Sequence, residues 1–497
     1  MSDETVADRR VDPATIALRF VREAPRTVLA LPAGYLAISG SGLTRALWVA
    51  AAVAVVVVAL HILSWSRFKY GVGSDEVVIE QGVLHRSRRS IPFERIQDID
   101  IERRLLARLF GLAKVKIETG AGGKDEGLLD SVTVAEADRL RATVRAWRAG
   151  DTAPQAEAGE GAPPVPEARV LFAMDVPRVL LFGLFNFSLA YLAGLFALLQ
   201  LFDDWLPFDI YDPARWMGLV GEYLPHRWSA GAIATLLVLA ILIGLVAGVL
   251  RTLARDYGYR LSVEGDRFRR ERGLFTRSEA VIARRRVQLA RLRSGPLRGL
   301  FGWWGLSFQT LGAGSDGGGS QMAAPFARRE ELEPVLAEVA PLRLPEEGLL
   351  QPVSSRHIVR SLLHAVALPC AVILAAAIAE PRALWLLALV PMIALGAALD
   401  RRFHRYALDG ELLFVTRGVL IRRLWVIPVA RAHSIGVARG WLQRRLGLAT
   451  LSVDTAGAPV TGAPRILDLR LEVARGLAEE IAARRRAYSG RKSGTER

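Results

Sequence analysis

The sequence predicts a multi-domain α+β protein in which three membrane helical hairpins alternate with three soluble β units, each with a C-terminal helix. Three observations carry this. One stretch recurs three times at fixed spacing, apolar runs of membrane-crossing length separate the copies, and an amphipathic helix ends each copy.

In the first copy, Gly82 opens a Gly-Val-Leu run, and Arg95, Gly111 and Thr119 follow. The second copy sets Gly273, Arg286, Gly302 and Thr310 at the same offsets, and the third sets Gly418, Arg431, Gly447 and Thr455. No gap is needed, so one structural unit is used three times. The second glycine of each set, Gly111, Gly302 or Gly447, reads as a tight turn where a side chain is excluded or φ is positive.

Residues 1–26 are polar and Arg-rich, and read as an N-terminal cytoplasmic segment. Residues 27–63 form the first hairpin, with 46–63 its clear apolar arm. The first soluble unit, 64–150, shows short alternating runs of strand type, then a helix over 135–147 with Ala137, Leu140, Val144 and Trp147 on one face. Residues 151–170 are rich in Ala, Pro, Glu and Gly and read as a linker. A second hairpin spans 171–250, with 202–229 as an external loop, and the second unit covers 251–340, its helix over 329–339. The third hairpin is 356–399, the third unit 400–486, and 487–497 a short basic tail. Arg67, Arg178, Arg251, Arg255, Arg356, Arg401 and Arg402 crowd one end of the spans. Asp203, Asp204, Asp212 and Glu380 mark the other. The positive-inside rule then puts all three soluble units on the cytoplasmic side of the cell membrane.

The chain of 497 residues carries 65 Lys+Arg against 50 Asp+Glu, a net +15, which favours anionic partners. The single Cys370 excludes an intramolecular disulfide and a cysteine metal cluster. The seven histidines contain no His pair at i,i+4 and no His-Glu-x-x-His, and no nucleophile shows a local base. The reading is therefore non-enzymatic, with no catalytic residue, metal or cofactor. Gly312–Gly317 matches G-x-G-x-x-G, but Gly318, Gly319 and Ser320 follow where a helix should begin, so it reads as a hairpin loop.

The repeat resembles the bacterial pleckstrin-homology (PH) domain of the YdbS/YdbT-like membrane proteins, in a three-repeat form. The Gly-Val-Leu run, the Ile-Pro-x-x-Arg-Ile-Gln segment at 91–97 and Arg-x-Phe-Gly at 108–111 carry the resemblance. It implies a strongly bent PH-like β-sandwich closed at one end by the C-terminal helix, with a membrane hairpin before each domain. The second copy departs at Ala283-Arg284, the third at Ala432-His433.

Basic clusters supply the candidate binding residues: Arg86, Arg88 and Arg89, then Arg270 and Arg272, then Arg422 and Arg423. Their functional reading is a surface for anionic lipid headgroups or an acidic partner; their structural reading is positive-inside topology. Arg95, Arg286 and Arg431 recur at one offset and read either as phosphate ligands or as donors to backbone carbonyls. The function expected is a membrane-bound interaction or scaffold module contacting anionic lipid, itself as a homo-oligomer, or a second PH-like membrane protein. Nucleic acid is not an expected partner, because interleaved exposed aromatics are lacking. The alternative is a transport, lipid-handling or envelope-stress role for the six helices, with His364 as the intramembrane ionisable residue.

Overall fold

In a computed structural model of the chain, the described residues are 8–16, 43–82, 85–119, 127–149, 168–186, 230–310, 319–379, 390–456 and 464–495, with a few isolated positions besides. They fall into two units: Met1–Phe172 with Leu261–Arg270 and Ser278–Arg497, and Ala173–Arg260 with Glu271–Arg277.

The first copy runs β1 (Arg9–Arg10), α1 (Leu43–Arg67), β2 (Lys69–Val72), β3 (Glu76–Gln81), β4 (Ser87–Pro92), β5 (Ile96–Arg103), β6 (Leu112–Thr119), β7 (Gly127–Thr133) and α2 (Val134–Ala149). The second runs β8 (Arg169–Ala173), α3 (Val176–Leu184), α4 (Ala230–Asp256), β9 (Arg260–Glu264), β10 (Arg267–Arg272), β11 (Arg277–Ala283), β12 (Val287–Ser294), β13 (Trp304–Thr310), β14 (Ser320–Ala327) and α5 (Arg329–Ala337). The third runs β15 (Gln351–Pro352), α6 (Arg356–Ala379), α7 (Val390–Phe403), β16 (Arg405–Asp409), β17 (Leu412–Arg417), β18 (Arg422–Pro428), β19 (Ala432–Ala438), β20 (Leu448–Thr455), β21 (Arg465–Arg470) and α8 (Leu471–Thr495).

A short strand therefore precedes each apolar helical segment and pairs with the strand that follows it, as Arg9 with Tyr70 and Gln351 with Tyr406. Residues 1–26 thus supply β1 to the first domain, and residues 169–170 of the expected linker begin β8. The C-terminal helix of the third unit runs beyond the expected end of that unit: α8 continues through most of the expected basic tail. The loop at 311–318 lies outside the described residues, but β13 and β14 flank it as an antiparallel pair.

The sheets do not follow the repeat boundaries. Their strand orders are β1-β2-β3-β4, β7-β6-β5-β11-β10-β9-β8, β14-β13-β12-β18-β17-β16-β15 and β19-β20-β21. The last three strands of each copy join, edge to edge, the first strands of the next. The expectation of three self-contained sandwiches gives way to a chain of fused sheets. The cause is an open edge: a three-stranded sheet leaves a row of unpaired N–H and C=O groups, and the next copy's fourth strand satisfies them. In the β12–β18 joint, Ala290 faces Val426 and Leu292 faces Leu424. Leu289 of the second copy is built into the third copy's core beside Val415, Ile427 and Leu451. At the first joint, the buried Arg141 of α2 donates to Glu279 of β11 at 2.6 Å and to the Ile99 carbonyl at 3.3 Å.

Two described segments are long and apolar enough to cross a membrane, Val238–Asp256 and Arg356–Ile378; the apolar stretch Ala51–Arg67 is shorter. Six spans in three hairpins are not established. Residues 27–40 of the first expected hairpin and residues 187–201 of the second lie outside the described residues. In the second unit, α3 packs on α4. A Cβ on Gly183 would lie 2.6 Å from the Val249 backbone, and Asn186 donates to Thr252 at 2.9 Å.

Candidate functional site: an arginine rung beside a buried His–Asp cluster

Where the second and third copies meet, three arginines face one another across adjacent strands. In β17 and β18, Arg417 is opposite Arg423, and in the joint Arg423 is opposite Arg293 of β12. Side chains in one rung point to one face of a sheet with Cβ atoms about 5 Å apart, and like charges placed so are destabilising. No ion pair to Arg293, Arg417 or Arg423 occurs among the described residues. Arg417 sits below the usual guanidinium range, first because it is half-buried, with Arg423 adding repulsion against the pull of Asp400. Arg291, on the same face as Arg293, is lowered by burial and then by Arg293 and Arg423. The corresponding positions across the first joint hold Glu102, Ser278 and Arg272, a charge-balanced set. The joint itself does not demand three arginines.

Beside the rung lies a cavity of about 310 Å³. Leu292, Trp304, Leu344, Phe403 and Leu424 give it an apolar lining, and Arg402, Arg405, Arg417, Arg422 and Arg423 line it as well. The Arg422 guanidinium lies 4.3 Å from the centre of the Phe403 ring. Arg329 donates to the Pro345 carbonyl at 2.6 Å, and Arg405 to that of Arg402 at 3.0 Å. Apolar residues and several arginines in one lining suit an anionic amphiphile, because Arg binds phosphate and carboxylate oxygens in planar forks.

The end of α7 brings Arg402 and Phe403 to this cavity, and a buried polar cluster fixes that end. His357, in the first turn of α6, puts Nδ1 2.6 Å from Asp468 and Nε2 3.1 Å from Asp400. Both ring nitrogens face carboxylate oxygens. Asp468 also accepts from Arg360 at 2.5 Å and from Gln443 at 2.7 Å. Burial would raise the Asp468 carboxyl, but the hydrogen bonds from His357, Gln443 and Arg360 outweigh that and hold it below the usual carboxylate range. His404 is fully buried. Its Nε2 accepts from the Leu467 N–H at 3.4 Å, and its Nδ1 has no hydrogen-bond partner among the described residues. Burial, then repulsion from His357, pushes its pKa down to about 4. His357, Asp400 and His404 bring ligand-type atoms within 4.8 Å of one another, but the bonds above make the group an ion-pair network joining α6 and α7 to the domain.

The repeat shows that this cluster is peculiar to the third copy. The Ser354 N–H donates to the Asp468 carbonyl as the Asp12 N–H does to that of Ser131, and the His357 N–H bonds Ser354 as the Thr15 N–H bonds Asp12. Thr15, Phe68 and Ser131 thus hold the places of His357, His404 and Asp468, and Tyr259 holds that of His404 in the second copy. Ser131 and Asp468 share a positive φ, 68° and 59°. The backbone device is common to both copies, whereas the charges are not.

The basic clusters singled out in sequence fall into three groups. Arg422 and Arg423 line the cavity. Arg86, Arg88 and Arg89 lie in and just before β4 of the first sheet, exposed. Arg270 and Arg272 offer no surface: Arg270 is fully buried and donates to the Met322 carbonyl at 2.9 Å, and Arg272 pairs with Asp256 at 3.4 Å. Arg431 donates to the Arg285 carbonyl at 2.7 Å, across copies, while Arg95 is exposed. Thr310 and Thr455 are buried, and Gln309 donates to Thr455 at 3.1 Å. Arg417 and Arg293 were not singled out; their register across the joint is invisible in a linear sequence. Asp400 and His404 stand at i,i+4 and were legible as a pair.

The profile of the bacterial PH domain family matches residues 26–147, 208–343 and 361–485. The chain is 24% identical over 464 residues to the transmembrane protein YdbT of Bacillus subtilis (strain 168), covering 90% of this chain and 92% of that one. No solved structure matches. The three matched stretches each contain one copy of the Gly–Arg–Gly–Thr repeat, and the chain belongs to the bacterial PH domain family, with the domain present three times.

Proposed function

We propose that this is a non-enzymatic, multi-pass cell-membrane protein whose PH-like domains face the cytoplasm, and that the joint of its second and third copies binds the phosphate of an anionic lipid headgroup. The observation that carries it is the rung Arg293–Arg423–Arg417, three like charges in register with no ion-pair partner among the described residues. An anion seated on the rung turns mutual repulsion into shared attraction. The apolar lining beside it suits the glycerol and upper acyl chain of a lipid better than a free phosphate ion. The YdbT relative is itself named a transmembrane protein, in keeping with a domain held at a bilayer.

The test uses the full chain in neutral detergent, titrated with a short-chain phosphatidylglycerol, its phosphatidylcholine counterpart, or inorganic phosphate. The anionic lipid should stabilise the fold by about 2.7 kcal/mol of linkage at a hundredfold excess over the dissociation constant, and so raise the melting temperature. Arg423→Gln should melt no lower than the parent without lipid, since it relieves repulsion, and should lose most of the lipid-induced shift. Equal shifts with the zwitterionic lipid, or an undiminished shift in the variant, would overturn the reading. A shift with inorganic phosphate alone would place the ligand in solution rather than in the membrane.

Topology has its own test, motivated by the Arg asymmetry around the spans. Reporter fusions at Gly150, Pro341 and Arg497 should report the cytoplasm, and one at Asp212 the outside. A cytoplasmic Asp212 removes the second hairpin.

A further inference from the structure

We propose that the chain associates head to tail, β19 of one molecule adding to β4 of a second copy, so that the strand joint fusing its own repeats continues between molecules. Within the chain, the fifth strand of each copy pairs with the fourth strand of the next, β5 with β11 and β12 with β18. This series leaves two ends. The outer edges of β4 and β19 have no strand partner among the described residues. The two edges are the complementary halves of a joint the protein already makes twice.

The repeat sets the register. Ala290 opposite Val426 becomes Ile435 opposite Ser90, and Leu292 opposite Leu424 becomes Val437 opposite Arg88. Two further contacts carry over. Arg431 donates to the Arg285 carbonyl inside the chain. The equivalent donor is the exposed Arg95, and the equivalent acceptor the Ala430 carbonyl. Gln309 donates to Thr455 inside the chain. At the ends this pair becomes Asp454 and Thr119, where the hydroxyl donates to the carboxylate. The exposed Arg95 thus gains the role that Arg431 already plays.

The chemistry of β19 agrees. Its seven residues, Ala-His-Ser-Ile-Gly-Val-Ala, include no Lys, Arg, Asp or Glu, and Val437 is 38% exposed. Folded proteins ordinarily block an outer edge with charge, proline or a bulge; the bulge that β19 carries between Ala432 and Ser434 falls where β12 has one between Val287 and Leu289 and still pairs with β18. The opposing β4 carries Arg88 and Arg89, which makes the contact weak, as the internal joint tolerates Arg293 against Arg423. The joint is heterologous, so it propagates to a ring or a filament rather than stopping at a dimer.

The test is register-specific cross-linking of the full chain in detergent or membranes, with Cys370→Ser and the pair Ser90→Cys and Ile435→Cys. Mild oxidation should give a ladder of dimers, trimers and larger species. A mixture of the two single-cysteine chains should stop at dimers. Pairing Ser90→Cys with His433→Cys, two residues out of register, should reduce cross-linking at least tenfold. No ladder, or one indifferent to register, overturns the proposal. Light scattering on chains without cysteine changes checks it independently of the fold at Ser90. Val437→Arg, facing Arg88, should leave monomers only, and Val437→Glu should enlarge the assembly. Masses unchanged by both substitutions overturn it equally.

Discussion

Gly418→Ala is expected to unfold the third copy, whereas Gly410→Ala, eight residues earlier, should be mild. Both glycines have positive φ, 102° and 55°. They differ in what a side chain would meet. At Gly418 an added Cβ lies 2.1 Å from the Ile421 carbonyl oxygen, and at Gly410 nothing lies within 4 Å. Backbone strain alone costs roughly 1–3 kcal/mol. A contact at 2.1 Å with main-chain atoms cannot be relieved by a rotamer change, so the turn between β17 and β18 must open. Those strands carry Leu413, Val415 and Ile427 into the third core and Arg417 and Arg423 into the rung. Thermal melting of the full chain in detergent should show Gly418→Ala losing its folded baseline. Gly410→Ala should lose about 1 kcal/mol. Equal melting of the two variants would show that the turn relaxes. Gly82 and Gly273 have the same geometry, with Cβ 1.9 Å from a carbonyl oxygen, so the effect should recur in every copy.

These glycines also show how much the sequence disclosed. Identical offsets marked both repeated glycines, but not which of them excludes a side chain. Gly111, Gly302 and Gly447 have positive φ, 66°, 71° and 67°, as expected. Yet an added Cβ meets nothing at Gly111 and only Arg side-chain tips at Gly302 and Gly447. The first glycine of each copy is the crowded one. Element type was legible because strand and helix periodicity are local properties. Partnering between sheets was not, because β pairing is non-local, and β5 looks the same whether its neighbour belongs to its own copy or the next. The rung exists only in that pairing. Arg270 escaped differently: it stands two residues from Phe268 on the inward face of β10, a spacing that reads as burial once the strand is recognised, but its charge argued for solvent.

Acidification should selectively weaken the third copy, and His404→Phe should remove most of that effect. His404 titrates at about 4 in the fold against 6.5 in the open chain. Between those values the unfolded chain binds a proton that the folded chain refuses, so stability falls as pH drops below 6.5 and levels off near 4. At about 1.4 kcal/mol per pH unit, the loss is on the order of 3 kcal/mol. The groups that set this value are the buried environment first, then His357 and Arg417, which depress it, against Asp400 and Asp468, which raise it. Asp468 and Asp400 are themselves held below 3.8, so their contribution is lost only at lower pH. The substitution is supplied by the protein: Phe68 occupies the same place in the first copy and is buried there. Phenylalanine gives up the bond from the Leu467 N–H, which costs roughly 1 kcal/mol at neutral pH. The variant should therefore melt slightly lower at pH 7.5 and higher at pH 4.5 than the parent, the two curves crossing between. Parallel curves would show that His404 is not the group being protonated.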